Sequence, residues 1–217
     1  MLYLAHKLFN EETAKDLMKR LIMSTEWVDG RASATGSQIK RNIQLNLGET
    51  HSKFSKEIIQ VMENDHIINN FSFPSKIFNI LFTRTGEGMF YGPHIDFPCC
   101  STGRRDLSFT IFLNQTSDYK GGELILYIPP EQKQIKMNPG EMIIYPTKYL
   151  HEVKKVTDGE RMVCVGWIES QIAKDHEREN LSLLKQGLSE IIQKHGHSSA
   201  TQNIDMCLQN LYKTFSS

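Results

Sequence analysis

Residues 107–145, LSFTIFLNQTSDYKGGELILYIPPEQKQIKMNPGEMIIY, decide the fold class. They contain three short runs rich in aliphatic and aromatic residues, at Leu107–Leu113, Glu123–Ile128 and Met142–Tyr145. Similar runs lie on either side, at Phe78–Arg84 and Met162–Ile168. The runs are separated by turn-forming pairs, namely Gly121-Gly122, Pro129-Pro130, Pro139-Gly140 and Asp158-Gly159. Short strands at regular spacing with glycine and proline turns predict an all-β sandwich or barrel core. The intervals are too short for the helical crossovers of a parallel sheet.

Helical segments flank this core. Near the N-terminus Asn10 is a suitable helix cap, and apolar residues recur at helical spacing after it: Ala14, Leu17, Met18, Leu21 and Ile22. A second helix is predicted over Ser52–Asp65. Two further apolar stripes follow Ser170, one at Leu181, Leu184, Leu188, Ile191 and Ile192, the other at Ile204, Leu208, Leu211, Tyr212 and Phe215. Soluble monomers rarely expose such faces, so we expect Leu184, Leu188, Ile191 and Leu211 to be mostly buried, against the core or a second subunit.

The predicted fold class is therefore α+β, in one structural domain. It comprises a helical and strand support region over residues 1–77, a β core over 78–170 and a C-terminal helical extension over 171–217. The 217 residues carry 25 basic and 25 acidic side chains, which gives no support to binding of nucleic acid or membranes. No apolar run is long enough to span a membrane, and the first residues do not resemble a signal peptide. The four cysteines form no disulfide framework, so a cytoplasmic location with reduced thiols is expected.

One constellation indicates metal chemistry. In the extended segment Tyr91–Asp96, residues two apart point to the same face, so His94 and Asp96 can hold one ion together. His151, which follows the run Met142–Tyr145, is the best candidate for a third ligand. Two imidazoles and one carboxylate leave open positions on an octahedral metal, an arrangement typical of non-haem Fe(II) oxygenases. The same donors also suit zinc, and a His-x-Asp pattern alone is weak, so the hypothesis depends on the whole set.

Arg161 completes that set. A dicarboxylate co-substrate that chelates iron at one end needs a cation for its far carboxylate, and arginine binds carboxylates in a bidentate manner. A two-residue turn at Asp158-Gly159 would place Arg161 on the face opposite His151. A three-residue loop, Thr157–Gly159, with Gly159 at positive φ would instead pair Lys155 with Arg161 and place Arg161 on the His151 face. We therefore predict the bulged hairpin.

Six segments, taken in order, carry a resemblance to a known family: Trp27–Arg31, Tyr91–Asp96, Arg105–Leu113, Tyr119–Leu124, Tyr145–His151 and Val156–Arg161. The chain resembles the PKHD-type hydroxylases, a branch of the prolyl/lysyl-hydroxylase-like 2-oxoglutarate dioxygenases. The resemblance implies a double-stranded β-helix (jelly-roll) core, Fe(2+) on His94, Asp96 and His151, and 2-oxoglutarate on Arg161. L-ascorbate is the usual reductant in such families.

Two positions depart from the family pattern. Phe97 follows the His-x-Asp where the family usually has asparagine, and Thr83-Arg84-Thr85 stands where an Asn-Arg-Tyr run is usual. That tyrosine resembles one which contacts the near end of 2-oxoglutarate in related enzymes. Tyr91 or Thr110 is the candidate to replace it in this chain.

The predicted function is a dioxygenase that hydroxylates a substrate C–H bond and releases succinate and CO2. Its partners would be O2 and a small-molecule or peptide/protein substrate, with a prolyl residue suggested by the resemblance, and the chain would be a monomer or homodimer. Two alternatives stay open at this point. A non-catalytic jelly-roll ligand-binding protein would form no succinate, and a zinc hydrolase using the same triad would consume no oxygen.

Overall fold

The computed structural model describes residues 3–24, 26–34 and 38–216. These residues form five α-helices: α1 (Glu11–Ile22), α2 (Glu49–Glu63), α3 (His66–Ser72), α4 (Asp175–His195) and α5 (Ser199–Phe215). They also form short strands, which are β1 (Leu4–Lys7), β2 (Trp27–Asp29), β3 (Lys40–Arg41), β4 (Ile43–Leu45), β5 (Pro74–Gly86), β6 (Phe90–His94), β7 (Cys99–Cys100), β8 (Gly103–Arg104), β9 (Leu107–Phe112), β10 (Tyr119–Gly121), β11 (Leu124–Ile128), β12 (Glu131–Ile135), β13 (Glu141–Pro146), β14 (Leu150–Val153) and β15 (Val156–Ser170).

Two antiparallel sheets make up most of the β structure. The major sheet has the order β1-β13-β9-β15-β5-β4-β2, with β10 paired to β15 outside this path, and the minor sheet has the order β12-β11-β14-β6-β3. A separate two-stranded ribbon is formed by β7 and β8. Every predicted β run falls on a strand, and the fold is confirmed as a mixed one with antiparallel sheets and flanking helices.

Period-two alternation in the major-sheet strands explains how the layers form. Ile144, Cys164 and Ile111 pack with α1, α2 and α3 in one hydrophobic cluster. Their sequence neighbours Ile143 and Val163 point to the other face and pack with residues of β11. The major sheet is therefore covered by helices on one face and by the minor sheet on the other. The described helices are too short or too polar to cross a membrane.

The N-terminal helices differ from prediction only in their ends and number. Asn10 caps α1 as predicted, its side-chain oxygen accepting a hydrogen bond from the backbone N–H of Thr13 at 2.8 Å. Helix α2 begins at Glu49, three residues before the predicted start. Helix α3 was not predicted, because its seven residues are too few to show a helical stripe. Asp65 caps it by accepting hydrogen bonds from the N–H groups of Ile67 and Ile68.

The prediction for the C-terminal helices was wrong in its details. Leu188 is buried, but Leu184, Ile191 and Leu211 are 45%, 43% and 37% exposed in the single chain. The buried face is instead built from Phe73, Ile172, Leu181, Leu188 and Leu208. Helix α4 packs on Phe73 and Ile172 through Leu181 and Leu188, and α5 does so through Leu208, which leaves Leu184, Ile191 and Leu211 facing solvent.

Candidate active site

Strands β6 and β14 bring the predicted metal ligands together. They pair antiparallel in the minor sheet, and His94 lies directly opposite His151 in their register. Cross-strand partners share a face, so both imidazoles point to the same side of the sheet. Asp96 follows two residues after His94, just beyond the end of β6. The two histidines are therefore placed by sheet register rather than by a loop.

The three side chains form a compact cluster of potential ligand atoms. Each offers one such atom, and all three atoms lie within 4.8 Å of one another. Asp96 Oδ1 lies 3.6 Å from His94 Nε2, and Asp96 Oδ2 lies 3.8 Å from His151 Nε2. Two imidazoles and a carboxylate at these separations fit a metal that takes nitrogen and oxygen ligands and keeps open positions.

Hydrogen bonds orient each potential ligand. His94 Nδ1 lies 2.8 Å from the Gly92 carbonyl oxygen and His151 Nδ1 lies 2.9 Å from that of Tyr149. A carbonyl oxygen only accepts, so both Nδ1 atoms donate, and each neutral ring keeps the lone pair of Nε2 for a metal. Metal-binding histidines commonly donate a hydrogen bond from their other ring nitrogen in this way.

The carboxylate of Asp96 is held in a similar way. Its Oδ2 accepts hydrogen bonds from Trp167 Nε1 at 2.9 Å and from Ser108 Oγ at 3.1 Å. The Ser108 hydroxyl lies in turn 3.0 Å from that of Thr147. Trp167 and Ser108 were not predicted as site residues. Ser108 could have been found by period-two alternation, because it shares a strand face with the predicted Thr110.

The electrostatics of the cluster favour neutral imidazole. Burial lowers the pKa of His94 to about 4, with the nearby His151 as the next cause. The ring is therefore uncharged near neutral pH, as metal binding requires. Tyr91 stacks on it, with ring centroids 3.6 Å apart and planes inclined by 14°. Burial raises the pKa of Tyr91 to about 12, so its hydroxyl stays protonated.

Arg161 lies across from the triad, on the major sheet. It pairs with Thr85 in the β15–β5 register, is 2% exposed, and lines the same cavity as His94 and His151. Its Nε has no hydrogen-bond partner in the described ranges. Burial lowers the pKa of this guanidinium, an effect opposed mainly by the hydroxyls of Tyr119 and Tyr145.

The bulged hairpin that was predicted to place Arg161 on the same face as His151 is not formed. Strand β14 pairs with β6 and β11 in the minor sheet, whereas β15 belongs to the major sheet, so Lys155 does not pair with Arg161 and is exposed. The positive φ predicted for Gly159 is confirmed at +73°. Its physical reason is the pairing with β10, where a Cβ on Gly159 would lie 2.1 Å from the Asp118 carbonyl oxygen.

A cavity of about 310 Å³ between the two sheets is lined by the triad, by Tyr91 and by Arg161. Both residues predicted for the near end of the co-substrate, Tyr91 and Thr110, line it. Several other lining residues were not predicted as site residues from the sequence: Lys40, Asn42, Gln44, Arg105 and Tyr145. The cavity therefore joins the candidate metal ligands and a buried guanidinium whose Nε lacks a hydrogen-bond partner in the described ranges.

Comparison with known proteins identifies the relatives of this chain. Residues 80–169 match the 2OG-Fe(II) oxygenase superfamily. A PKHD-type hydroxylase of Prochlorococcus marinus strain MIT 9515 is 42% identical over 98% of both chains. One from strain MIT 9301 is 41% identical over the same share of both.

Solved structures agree in fold. A prolyl-4-hydroxylase of Pseudomonas putida has a TM-score of 0.55 at 17% identity, covering 77% of this chain and 92% of its own. A prolyl hydroxylase of Trichoplax adhaerens, in complex with a peptide fragment of the hypoxia inducible factor oxygen degradation domain, has a TM-score of 0.55 at 17% identity, covering 83% and 86%. With full-length relatives at about 40% identity, the chain belongs to the PKHD-type hydroxylases of the 2OG-Fe(II) oxygenase superfamily and is a 2-oxoglutarate-dependent dioxygenase.

Proposed function

We propose that this enzyme binds Fe(2+) on His94, Asp96 and His151, anchors 2-oxoglutarate on Arg161, and hydroxylates a C–H bond of its substrate. The observation that carries the proposal is the shared cavity, in which the ligand atoms of the triad lie within 4.8 Å of one another and the buried Arg161 has an Nε without a hydrogen-bond partner and no ion pair among the described residues. An unpaired buried arginine is costly unless a ligand supplies the missing charge. The distal carboxylate of 2-oxoglutarate would supply it.

The fold proposed for this site is the double-stranded β-helix (jelly roll). Its support is the packing of the antiparallel minor sheet against the major sheet, with the triad on one sheet and Arg161 on the other. We keep the division into a support region, a core and a helical extension at residues 77 and 170 as part of this proposal. Strands β1, β2, β3 and β4 from the support region join the two sheets, which supports one structural domain.

Several residues of the chain act on the co-substrate in this scheme. The hydroxyl of Tyr119 is buried beside Arg161, with which it interacts, and it would donate to the same distal carboxylate when the diacid is bound. Tyr145 is buried, and burial raises the pKa of its hydroxyl well above the usual value. The charge of Asp96 raises this pKa further, and that of Arg161 lowers it. Tyr145 therefore remains a neutral hydrogen-bond donor along the path from the metal to Arg161. Tyr91 and Thr110 are the proposed contacts of the near end.

When bound, iron and 2-oxoglutarate supply oxidative chemistry that consumes O2, releases succinate and CO2 and transfers one oxygen atom to the substrate. The chain supplies orientation and a sheltered cavity: the histidines are fixed through Nδ1, Asp96 through Trp167 and Ser108, and the diacid through Arg161. L-ascorbate is the proposed reductant that keeps the iron divalent.

The substrate is proposed to be a small molecule or a peptide. A peptide is supported by the Trichoplax relative in fold, whose structure holds a peptide fragment. A prolyl residue, a monomer or homodimer and a cytoplasmic location stay predictions. Neither earlier alternative accounts for the cavity as well, because a zinc hydrolase gives Arg161 no task beside the triad and a passive binding protein gives the triad itself no task.

The test is formation of succinate from 2-oxoglutarate by the purified protein in the presence of Fe(2+), O2 and ascorbate. His151→Ala should abolish turnover, whereas His195→Ala, at the exposed end of α4, should leave it intact. Arg161→Met should raise the KM for 2-oxoglutarate by about tenfold or more, because one bidentate charged contact is lost. Succinate formation at the wild-type rate by His151→Ala protein would refute the ligand assignment.

A further inference from the structure

The cavity has a second polar wall that neither the metal nor 2-oxoglutarate uses in the proposed function. Lys40, Asn42 and Gln44 occupy alternate positions along β3 and β4 and all line the cavity. We call these three residues the β3–β4 strip. Lys40 is 4% exposed and Gln44 is 5% exposed. Polar side chains buried to this degree normally have hydrogen-bond partners in the protein, so unpaired members require an explanation.

Lys40 is the charged member of the strip. Its Nζ donates a hydrogen bond to Ser33 Oγ at 2.7 Å and lies 5.1 Å from the centroid of the Tyr91 ring. No carboxylate of the described chain forms an ion pair with it. The acidic groups that act on it from a distance are Asp96, a proposed metal ligand, and Asp29, which pairs with Arg31. The ammonium thus lacks a counter-ion of its own.

Two further donors face the same space without acceptors in the described residues. Gln44 Nε2 and Arg105 Nε are both buried and have no hydrogen-bond partner there. The Arg105 guanidinium carbon lies 4.1 Å from the centroid of the Trp167 ring, which fixes its position beside the triad. Among the described residues that line the cavity, Asp96 is the only carboxylate. Apart from Asn42 Oδ1, a buried acceptor without a hydrogen-bond partner in the described residues, the wall is therefore rich in donors and positive charge.

The sum of charges in the site with iron(II) and 2-oxoglutarate bound supports the same conclusion. Iron(II) and Arg161 together balance Asp96 and the two carboxylates of 2-oxoglutarate. Lys40 is left without compensation, and an unpaired buried charge is strongly unfavourable. Resting on the function proposed above, we propose that Lys40, assisted by Gln44, binds an anionic group of the primary substrate, a carboxylate or similar oxyanion. Arg105 adds positive potential at the same wall.

Lys40 and Arg161 can bind different ligands because they lie on different sheets. Lys40 lies on β3 in the minor sheet and neighbours Ser33 and Tyr91, whereas Arg161 lies on β15 in the major sheet and neighbours Tyr119 and Tyr145. A diacid held on Arg161 therefore leaves Lys40 free for a second anion. This makes the β3–β4 strip a determinant of substrate choice.

The experiment compares two probes of equal shape and different charge, benzoate and benzamide. Binding of each is measured by calorimetry to the full-length protein loaded with Mn(2+) and saturating 2-oxoglutarate. Benzoate should bind and benzamide should bind at least about tenfold more weakly, the loss expected for one charge-assisted hydrogen bond. Lys40→Met should reduce benzoate affinity by a similar factor, and Lys40→Arg should retain it. The control is Lys120→Met, at an exposed lysine paired with Asp158, which should bind benzoate like the wild type.

Three results would overturn the assignment. In the first, the wild type fails to bind benzoate or does not distinguish it from benzamide. In the second, Lys40→Met binds benzoate with unchanged affinity. In the third, Lys40→Met loses as much affinity for 2-oxoglutarate as Arg161→Met does. The last result would mean that Lys40 serves the co-substrate. A wild-type protein that binds benzoate through Lys40 but forms no succinate would refute the proposed function and leave the anion site standing.

Discussion

Replacing Lys40 by methionine should remove a specific pH dependence from the stability of the metal-free protein. Burial lowers the pKa of Lys40 from its usual 10.5 to about 8, with Asp96 and Asp29 opposing the effect. Because the folded-state pKa lies below the unfolded one, the unfolded chain binds more protons at any pH between the two values. The free energy of unfolding of the wild type therefore gains a contribution that rises with pH through this window.

The size of the effect follows from the two pKa values. Below the folded-state pKa the buried ammonium costs about 3 kcal/mol relative to the neutral amine, since each pKa unit corresponds to about 1.4 kcal/mol. Linkage gives a rise of about 1.3 kcal/mol in the free energy of unfolding between about pH 7 and pH 9. Methionine has nearly the same length and does not titrate, so the Lys40→Met protein should lack this rise. The loss of the hydrogen bond to Ser33 and of the contact with Tyr91 offsets part of the gain in absolute stability but does not change with pH.

The assay is urea denaturation of the two proteins at both pH values. For each protein, the change in the free energy of unfolding between the two pH values is measured. Subtracting the change of Lys40→Met from that of the wild type cancels the contributions of all other titrating groups, which both proteins share. We expect this double difference to be about 1 kcal/mol, with the wild type gaining more stability at the higher pH. Parallel pH dependence in the two proteins would refute the reasoning, because Lys40 would then ionise alike in the folded and unfolded chains.

Two further substitutions test the supports of the site, each with a matched control. Trp167→Phe removes the hydrogen-bond donor to Asp96 and should weaken Mn(2+) binding by about tenfold in a metal titration. Trp27→Phe is the control and should not weaken it, because the indole N–H of Trp27 has no partner in the described ranges. Equal effects of the two substitutions would show that the hydrogen bond to Asp96 is irrelevant. Gly159→Ala should destabilise the fold by roughly 2 kcal/mol or more in thermal or urea unfolding, because positive φ is combined with a clash against a backbone carbonyl. Gly88→Ala, with similar φ but open space around it, should cost less, and the reverse order would contradict the account.

The sequence predicted the β core well because the determining signals are local. Each run was bounded by glycine or proline turns, and each falls on a strand of one of the two sheets. Burial of the C-terminal helices was predicted less well, since helical spacing shows that an apolar face exists but not which side of it is covered. Leu181 and Leu208 contact Phe73 and Ile172, a tertiary choice that spacing alone does not reveal.

The candidate site shows the same division between local and tertiary information. His94 and Asp96 were predicted to lie together because residues two apart in an extended segment point to the same face, which is local information. Arg161 was predicted on the correct side for a wrong reason, because pairing of β15 with β5 and β10 replaces the expected hairpin. The β3–β4 strip was not predicted at all. Polar residues at alternate strand positions normally face solvent, and only the closure of the two sheets over Lys40 buries them.

The most direct test of the central claim is a crystal structure of the protein with Mn(2+), an iron substitute, and 2-oxoglutarate bound. The account predicts one metal ion held by His94 Nε2, His151 Nε2 and an Asp96 oxygen, with the distal carboxylate of the diacid on Arg161. A metal ion bound elsewhere, or a diacid whose far carboxylate rests on Lys40 with Arg161 unpaired, would contradict it.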